Sequence, residues 1–279
     1  MRKLLSTDLD GTIIFNATVS RPDLDAMERW RDAGHILVPN TGRSVSALRN
    51  ALRGSGLVFD YSVLYTGAVL TGRDYDVLKA RTLPDGLAEE VLDLLDGEAG
   101  VTVFVTTLDG DLQLYDSIGS DTALLTLFSR ASRADLAGRT VVGVPLRIAD
   151  PVLLARVQAE IGRRWGDAAV AFRNQDFLDV VPAGSSKGAG LTSLVGLLVA
   201  DDGPCRGERI ETWSIGDSWN DISMHTVADH PVALPWSPKE VVAACESTAG
   251  SMAELVESVL GPRRGRTTAT TTAGEKRNR

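Results

Sequence analysis

The stretch LLSTDLDGTIIF (Leu4 to Phe15) sets two carboxylates, Asp8 and Asp10, directly after a short apolar run, with Gly11 and Thr12 following at once. Residues 3–7 read as a buried strand that ends at Asp8. Two explanations fit an Asp-x-Asp at that point. Asp and Gly are common in turns and helix caps. Alternatively, the pair is built for chemistry on a metal-bound substrate. The rest of the chain decides between them.

Working outward, Pro22 to Ala33 puts Leu24, Met27 and Trp30 on one helical face, with Gly34 as a stop signal. HILVP (35–39) is a second apolar run and leads into NTGR (40–43). Ser44 then caps a helix through about Arg53, YSVLY (61–65) is a third strand, and GAVL with DVLKA forms a hairpin. Strands alternating with helices indicate a parallel, helix-covered sheet. From about Leu83 the rhythm changes. We read helix 86–96, strands 101–107 and 111–116 around a DGD turn, helix 121–133, strand 141–148, helix 151–165, and strands 168–173 and 177–181. Two strand hairpins in this region point to an α+β module with an antiparallel sheet. The first rhythm then resumes with helix 187–199, strand 210–215, helix 219–227, strand 231–234, and helices near 238–244 and 251–260. The expectation is an α/β core (residues 1–82 and 182–261) split by an inserted module (residues 83–181), a plausible domain size.

Composition narrows the function. The 279 residues are 43% hydrophobic and 24% charged, as in ordinary globular proteins, and carry a net charge of −8. That balance argues against a nucleic-acid binder, which would show a basic face. Residues 262–279 hold six basic residues against one acidic, a net of +5, so residues 1–261 carry −13. This Thr/Ala-rich end lacks apolar periodicity and reads as a disordered basic tail. Two cysteines, Cys205 and Cys245, lack metal-ligand spacing and suggest a reducing compartment. The apolar run at the N-terminus is too short for a signal peptide, and no stretch approaches a transmembrane length. A cytoplasmic protein without nucleic-acid or membrane partners is expected.

Four polar clusters fall where core strands end or core helices begin: DLDGT (8–12), NTGR (40–43), SSKG (185–188) and GDSWND (216–221). In open parallel sheets ligands bind at the carboxyl ends of strands, so these clusters converge on one site. Each supplies something phosphoryl transfer needs. Mg²⁺ takes hard oxygen ligands from few carboxylates, which Asp8 and Asp217 can provide. Asp8 can attack phosphorus, giving an aspartyl-phosphate. Asp10 can protonate the leaving oxygen and later accept a proton from water. Thr41 and the Gly42 amide can donate to phosphoryl oxygens, and Lys187 adds positive charge at a helix start. Asp221, four residues after Asp217, can orient the metal shell or pair with Lys187. Taken singly, each cluster is an ordinary turn, cap or surface feature; their order and placement together make the chemical reading the better one.

The order DLDGT, Thr-Gly-Arg, Lys, GDSWND resembles the four motifs of the haloacid dehalogenase-like hydrolases, and the long insert between the second and third resembles the α/β cap of the Cof-type branch, subclass IIB. The resemblance covers about residues 1–260. It implies a Rossmann-like core with a cap, Mg²⁺ dependence and phosphate-monoester hydrolysis. It also implies Asp8 as nucleophile and Asp10 as acid/base, with the Asp10 backbone carbonyl and Asp217 completing the metal site. Thr41, Lys187 and Asn220 would contact phosphate. One departure is TGA (Thr66 to Ala68), where many relatives carry Asn-Gly-Ala, which puts the polar contact of that Asn in doubt. The Ser of GDSWND is shared with sucrose-phosphatase-like members, so a sugar phosphate is the first substrate expected.

Selectivity should lie in the insert, where Arg147, Arg173, Asn174 and Gln175 stand at strands or strand ends and can bind a hydroxylated or anionic leaving group; solvent-facing polar residues are the competing reading. Trp219 can border the pocket or simply pack. His35, His225 and His230 share no spacing and read as structural or exposed. The leading function is a Mg²⁺-dependent phosphatase of a small phosphorylated metabolite. A phosphomutase with the same Asp pair and a non-catalytic phosphate-ligand-binding protein are the alternatives, the last disfavoured by an intact motif set.

Overall fold

The apolar run ahead of Asp8 forms β1 (Arg2–Thr7), and its alternation feeds two layers. Leu5 packs with Met27, Trp30 and Leu37 on one face, and Leu4 with Val38, Leu191 and Leu194 on the other. The computed structural model describes residues 1–119, 128–174 and 176–262, and of Asn174 the backbone only.

A two-strand ribbon, β2 (Ile14–Phe15) and β3 (Thr18–Val19), leads into α1 (Arg21–Asp32). Ser20 caps that helix by accepting from the Asp23 amide, Pro22 sits in its first turn, and Met27 and Trp30 are fully buried. β4 (Ile36–Pro39), α2 (Val45–Ala51), β5 (Ser62–Leu64), β6 (Val69–Thr71) and β7 (Val77–Ala80) follow. Ser44 caps α2 through the Ala47 amide.

Next come α3 (Leu87–Leu94), β8 (Val101–Thr107), β9 (Gly110–Asp116), β10 (Ser129–Arg130), β11 (Val141–Ile148), α4 (Pro151–Trp165), β12 (Ala169–Asn174) and β13 (Phe177–Pro182). Their strands form a six-stranded sheet in the order β10-β9-β8-β11-β13-β12. One face is covered by α3 and α4 through a cluster including Val91, Val103, Leu146, Leu154 and Leu178. The chain returns through α5 (Lys187–Val199), β14 (Ile210–Gly216), α6 (Ile222–Val227), β15 (His230–Ala233), α7 (Lys239–Ala243), β16 (Ser247–Thr248) and α8 (Met252–Leu260).

The central sheet is parallel throughout, in the order β16-β15-β14-β1-β4. Thr7 lies level with both Ile215 and Pro39, so the chain leaves β1, β4 and β14 along one edge. This is the mixed α/β architecture with a central parallel sheet that the strand–helix rhythm indicates.

Two local expectations change. Residues 120–127 of the expected helix 121–133 lie outside the described residues. Within its remainder, Ser129–Arg130 is a strand beside Leu112 and Gln113, and Arg133–Leu136 is a 3₁₀ turn capped by Ser132. The edge of β9 carries backbone groups that need partners, and pairing there outweighs local helix propensity. The expected helix 219–227 opens as a separate 3₁₀ turn, Trp219–Asp221, because the Asp221 carboxylate turns back onto the amides of Asp217 and Ser218. The expected tail lies outside the described residues from 263 onward.

Candidate active site

At the carboxyl edge of the central sheet the Asp8 amide donates to the Ile215 carbonyl (2.9 Å), which extends the ladder one residue past β1. The chain then folds back, with the amides of Thr12, Ile13 and Ile14 all converging on the Leu9 carbonyl. Gly11 makes this turn at φ +80°, and a Cβ there would come within 2.5 Å of the Asp217 carboxylate. Thr12 Oγ1 donates to Asp217 Oδ1 at 2.9 Å. The first and fourth motifs thus lock together.

Lys187, the first residue of α5, is buried with its ammonium 2.8 Å from Asp8 Oδ1 and 2.5 Å from Asp221 Oδ1. The other Asp221 oxygen accepts the amides of Asp217 and Ser218, so this carboxylate is spent on holding the lysine and the loop. A Cβ on Gly216 would meet the Asp221 side chain at 2.5 Å, which explains the glycine ahead of Asp217. Burial works against the Lys187 charge, yet Asp221 and Asp8 together carry its pKa above the ordinary lysine range. Burial pushes the Asp8 carboxyl up to about 8, against the pull of Lys187 and with Asp221 adding to the rise. Asp217 is likewise raised by burial, tempered by Thr12.

Oxygens of Asp8, Asp217 and Asp221 lie within 4.8 Å of one another. One lysine faces these three carboxylates, and the second oxygens of Asp8 and Asp217 have no protein donor among the described residues. That hard, under-neutralised oxygen set fits Mg²⁺. The Asp10 side chain turns away from it. Its carboxylate makes a two-bond ion pair with Arg43, 2.7 Å at each oxygen.

From the second motif, Thr41 is buried and its Oγ1 accepts the Arg43 amide, while its hydroxyl proton has no acceptor among the described residues. The Gly42 amide has no protein acceptor among the described hydrogen bonds. Both line the cleft between the sheets, as do Asp8, Asp10, Arg43, Lys187, Asp217, Ser218 and Asn220. Asn220 is buried, and its Oδ1 has no hydrogen-bond partner among the described residues. The core residues expected from sequence are therefore brought together around one cavity of about 230 Å³, a size for a small molecule.

The side of the cleft contributed by the six-stranded sheet differs from expectation. Its lining is Phe104, Thr106, Phe128, Pro145, Asp176, Phe177 and Asp179. Arg147 does not line the cavity and instead donates to Asp176 at 2.9 Å. Arg173 is exposed and pairs in register with Leu178, on the helix-covered face. Strand parity explains Arg173: Phe177 and Asp179 point into the cleft, so Leu178, Val180 and their register partners point away, whereas Arg147 stands opposite Phe177 and is taken up by Asp176. The Asn174 backbone stands opposite Phe177, and Gln175 lies outside the described residues. Trp219 is half exposed; His225 is buried, bonded to Ser214 and held neutral by burial, and His230 stacks on Trp213.

Sequence reasoning missed Arg43, Thr12, Asp179 and the phenylalanines. Arg43 was visible inside NTGR, and Asp179 as the one acid within the apolar run FLDVVP. Thr66, at the TGA departure, donates to Asp179 Oδ2 at 3.4 Å, so this position does carry a polar contact.

The family model described as haloacid dehalogenase-like hydrolase matches residues 5–259. The chain belongs to this family. Among solved structures, a haloacid dehalogenase-like hydrolase from B. subtilis is 18% identical, with TM-score 0.76, covering 93% of this chain and 99% of the other. A HAD/Cof-like hydrolase from Plasmodium vivax is 17% identical (TM-score 0.77; 93% and 95% covered). A subclass IIB sugar phosphatase is 19% identical (TM-score 0.73; 92% and 98% covered). At these identities the likeness establishes the shared fold. No curated protein matches the sequence significantly. Among the described residues no helix is long and apolar enough to cross a membrane.

Proposed function

We propose that this hydrolase is a Mg²⁺-dependent phosphatase of a small phosphorylated metabolite, a sugar phosphate being the first choice, acting through an aspartyl-phosphate on Asp8. The observation that carries the reading is the Asp8 carboxylate, buried at the sheet edge, with Lys187 at 2.8 Å and unspent donors on Thr41 and Gly42 across the same cavity. A carboxylate so placed, facing donors for an anion, suits attack on a bound phosphate.

Asp8 and Asp217 would hold the cation, with the Asp10 backbone carbonyl, and Asp221 would serve as the partner of Lys187. When bound, Mg²⁺ screens the repulsion between the attacking carboxylate and the phosphate anion. Thr41, the Gly42 amide, Lys187 and Asn220 position the phosphoryl oxygens. Asp8 forms the new oxygen–phosphorus bond as the ester bond breaks, and Asp10 gives its proton to the leaving oxygen. Water then attacks the phosphoenzyme, its proton passing to Asp10, and inorganic phosphate leaves. For Asp10 to reach those atoms, at least one of its bonds to Arg43 must open.

Residues 1–82 and 182–261 would form the catalytic core and 83–181 the specificity cap. Two free cysteines, Cys205 and Cys245, suit a cytoplasmic setting. A screen of phosphorylated metabolites for phosphate release, with and without Mg²⁺, tests the proposal. Stoichiometric free phosphate that needs Mg²⁺ is expected. Isomerised substrate without phosphate would instead make the protein a mutase, and binding without turnover would make it a ligand-binding protein.

A further inference from the structure

Beside the phosphate seat the cap places an acid where a phosphatase would be expected to avoid one. Asp179, on β13, reaches across to the second-motif loop: a Cβ on Gly42 would lie 3.0 Å from its Oδ2. Its single hydrogen bond among the described residues, from Thr66, is long at 3.4 Å. The remaining acceptor capacity of the carboxylate faces the cleft, and Lys187 is already committed to Asp8 and Asp221. A carboxylate that close to a phosphate dianion is tolerable when a donor stands between the two anions. The natural donor is a hydroxyl of the substrate's own leaving group.

The neighbouring surface says what carries that hydroxyl. Phe104 and Phe128 pack with ring centroids 4.3 Å apart, and Phe177 follows on the strand of Asp179. The other cap acid in the cleft, Asp176, is engaged by Arg147. The cap therefore offers the leaving group aromatic surface and carboxylate oxygen, the combination that suits a hydroxylated ring with an apolar face. A second phosphate or a carboxylate on the substrate would meet Asp179 directly.

Resting on the phosphatase reading, we infer that Asp179 is a specificity-determining residue that selects a neutral, hydroxylated leaving group and rejects one bearing a second anion. Phe104, Phe128 and Phe177 cover the apolar face of that group.

The test measures kcat/KM of the full chain with Mg²⁺ on hexose, pentose and tetrose monophosphates, fructose 1,6-bisphosphate and 4-nitrophenyl phosphate. The last has no hydroxyl to offer. Asp179→Ala is expected to lower the ratio of the best sugar monophosphate to 4-nitrophenyl phosphate at least tenfold, and to narrow the gap between mono- and bisphosphate. Asp179→Asn, isosteric and still an acceptor, should fall between and serves if the alanine variant does not fold. Thr66→Val, which cuts the core tie but keeps the carboxylate, should leave the ratio in place. Equal losses on both substrates, or an unchanged ratio in both Asp179 variants, overturn the inference. Absence of release from every ester by the unaltered protein, 4-nitrophenyl phosphate included, would instead overturn the phosphatase reading.

Discussion

Lys187 Nζ stands 2.8 Å from Asp8 Oδ1 in a site that excludes water from the lysine almost completely. The ammonium bridges Asp8 to Asp221, two carboxylates from opposite ends of the chain. Lys187→Met would leave both acids buried without their cation. Breaking a buried pair from one side costs about 3–5 kcal/mol. Chemical denaturation should show a loss of that order, together with loss of phosphate release. A variant of unchanged stability would mean that the bridge is not formed in solution.

Gly11→Ala should disturb the proposed cation site without replacing a ligand. The new methyl would press on the Asp217 carboxylate from 2.5 Å, at a φ of +80° that alanine resists. Strain of about 1–2 kcal/mol is expected. Mg²⁺ titration followed by thermal shift should show weaker binding, by roughly tenfold if that strain falls on the bound state. Unaltered Mg²⁺ affinity would place Asp217 outside the cation site.

The acid at position 179 should cost stability at neutral pH. Burial pushes its carboxyl up to about 6, with Lys187 and Thr66 pulling the other way. The folded state therefore holds the proton more tightly than the unfolded chain, and stability falls as pH rises from about 4 to about 6. Asp179→Asn should raise stability by about 1–3 kcal/mol at pH 7.5, the lower part of that range reflecting residual solvent access. The gain should vanish at pH 4. Equal Tm shifts at both pH values would contradict the assignment.

A second tie joins the sheets through Asp111 on β9, whose Oδ2 accepts the hydroxyls of Ser44 and Ser46 at the start of α2. Removing one partner of buried hydrogen bonds costs about 1–3 kcal/mol. Asp111→Ala should therefore raise KM for a cap-contacting ester more than it lowers kcat, because the cap loses its hold beside the cleft. Identical changes in both constants would assign the tie to general stability.

How far the sequence could be read follows from the physics of each half. Three of the four core motifs were legible because each ends a short apolar strand, and a parallel sheet with Thr7, Ile215 and Pro39 level brings such ends together; the remaining one, SSKG, was legible as the start of helix α5. Cap residues were harder. Arg147 and Arg173 looked like anion binders, but the face a strand residue occupies depends on register, which set Arg173 beside Leu178, while Arg147, opposite Phe177, is engaged by the Asp176 carboxylate. Phe177 and Asp179 occupy the cleft face by the same rule. Ser129–Arg130 became strand by pairing with β9, a contact that local propensity does not encode.

The central claim is that Asp8 takes the phosphoryl group while Asp10, held by Arg43, handles protons. Rapid acid quench with radiolabelled 4-nitrophenyl phosphate tests this most directly, since that leaving group scarcely needs protonation. Asp10→Asn should accumulate labelled protein and lose about 10²–10⁴-fold in turnover, because the hydrolytic water lacks its base. Asp8→Asn should give neither label nor turnover. Labelled protein from Asp8→Asn, or turnover of Asp10→Asn at the rate of the unaltered protein, would contradict the division of roles.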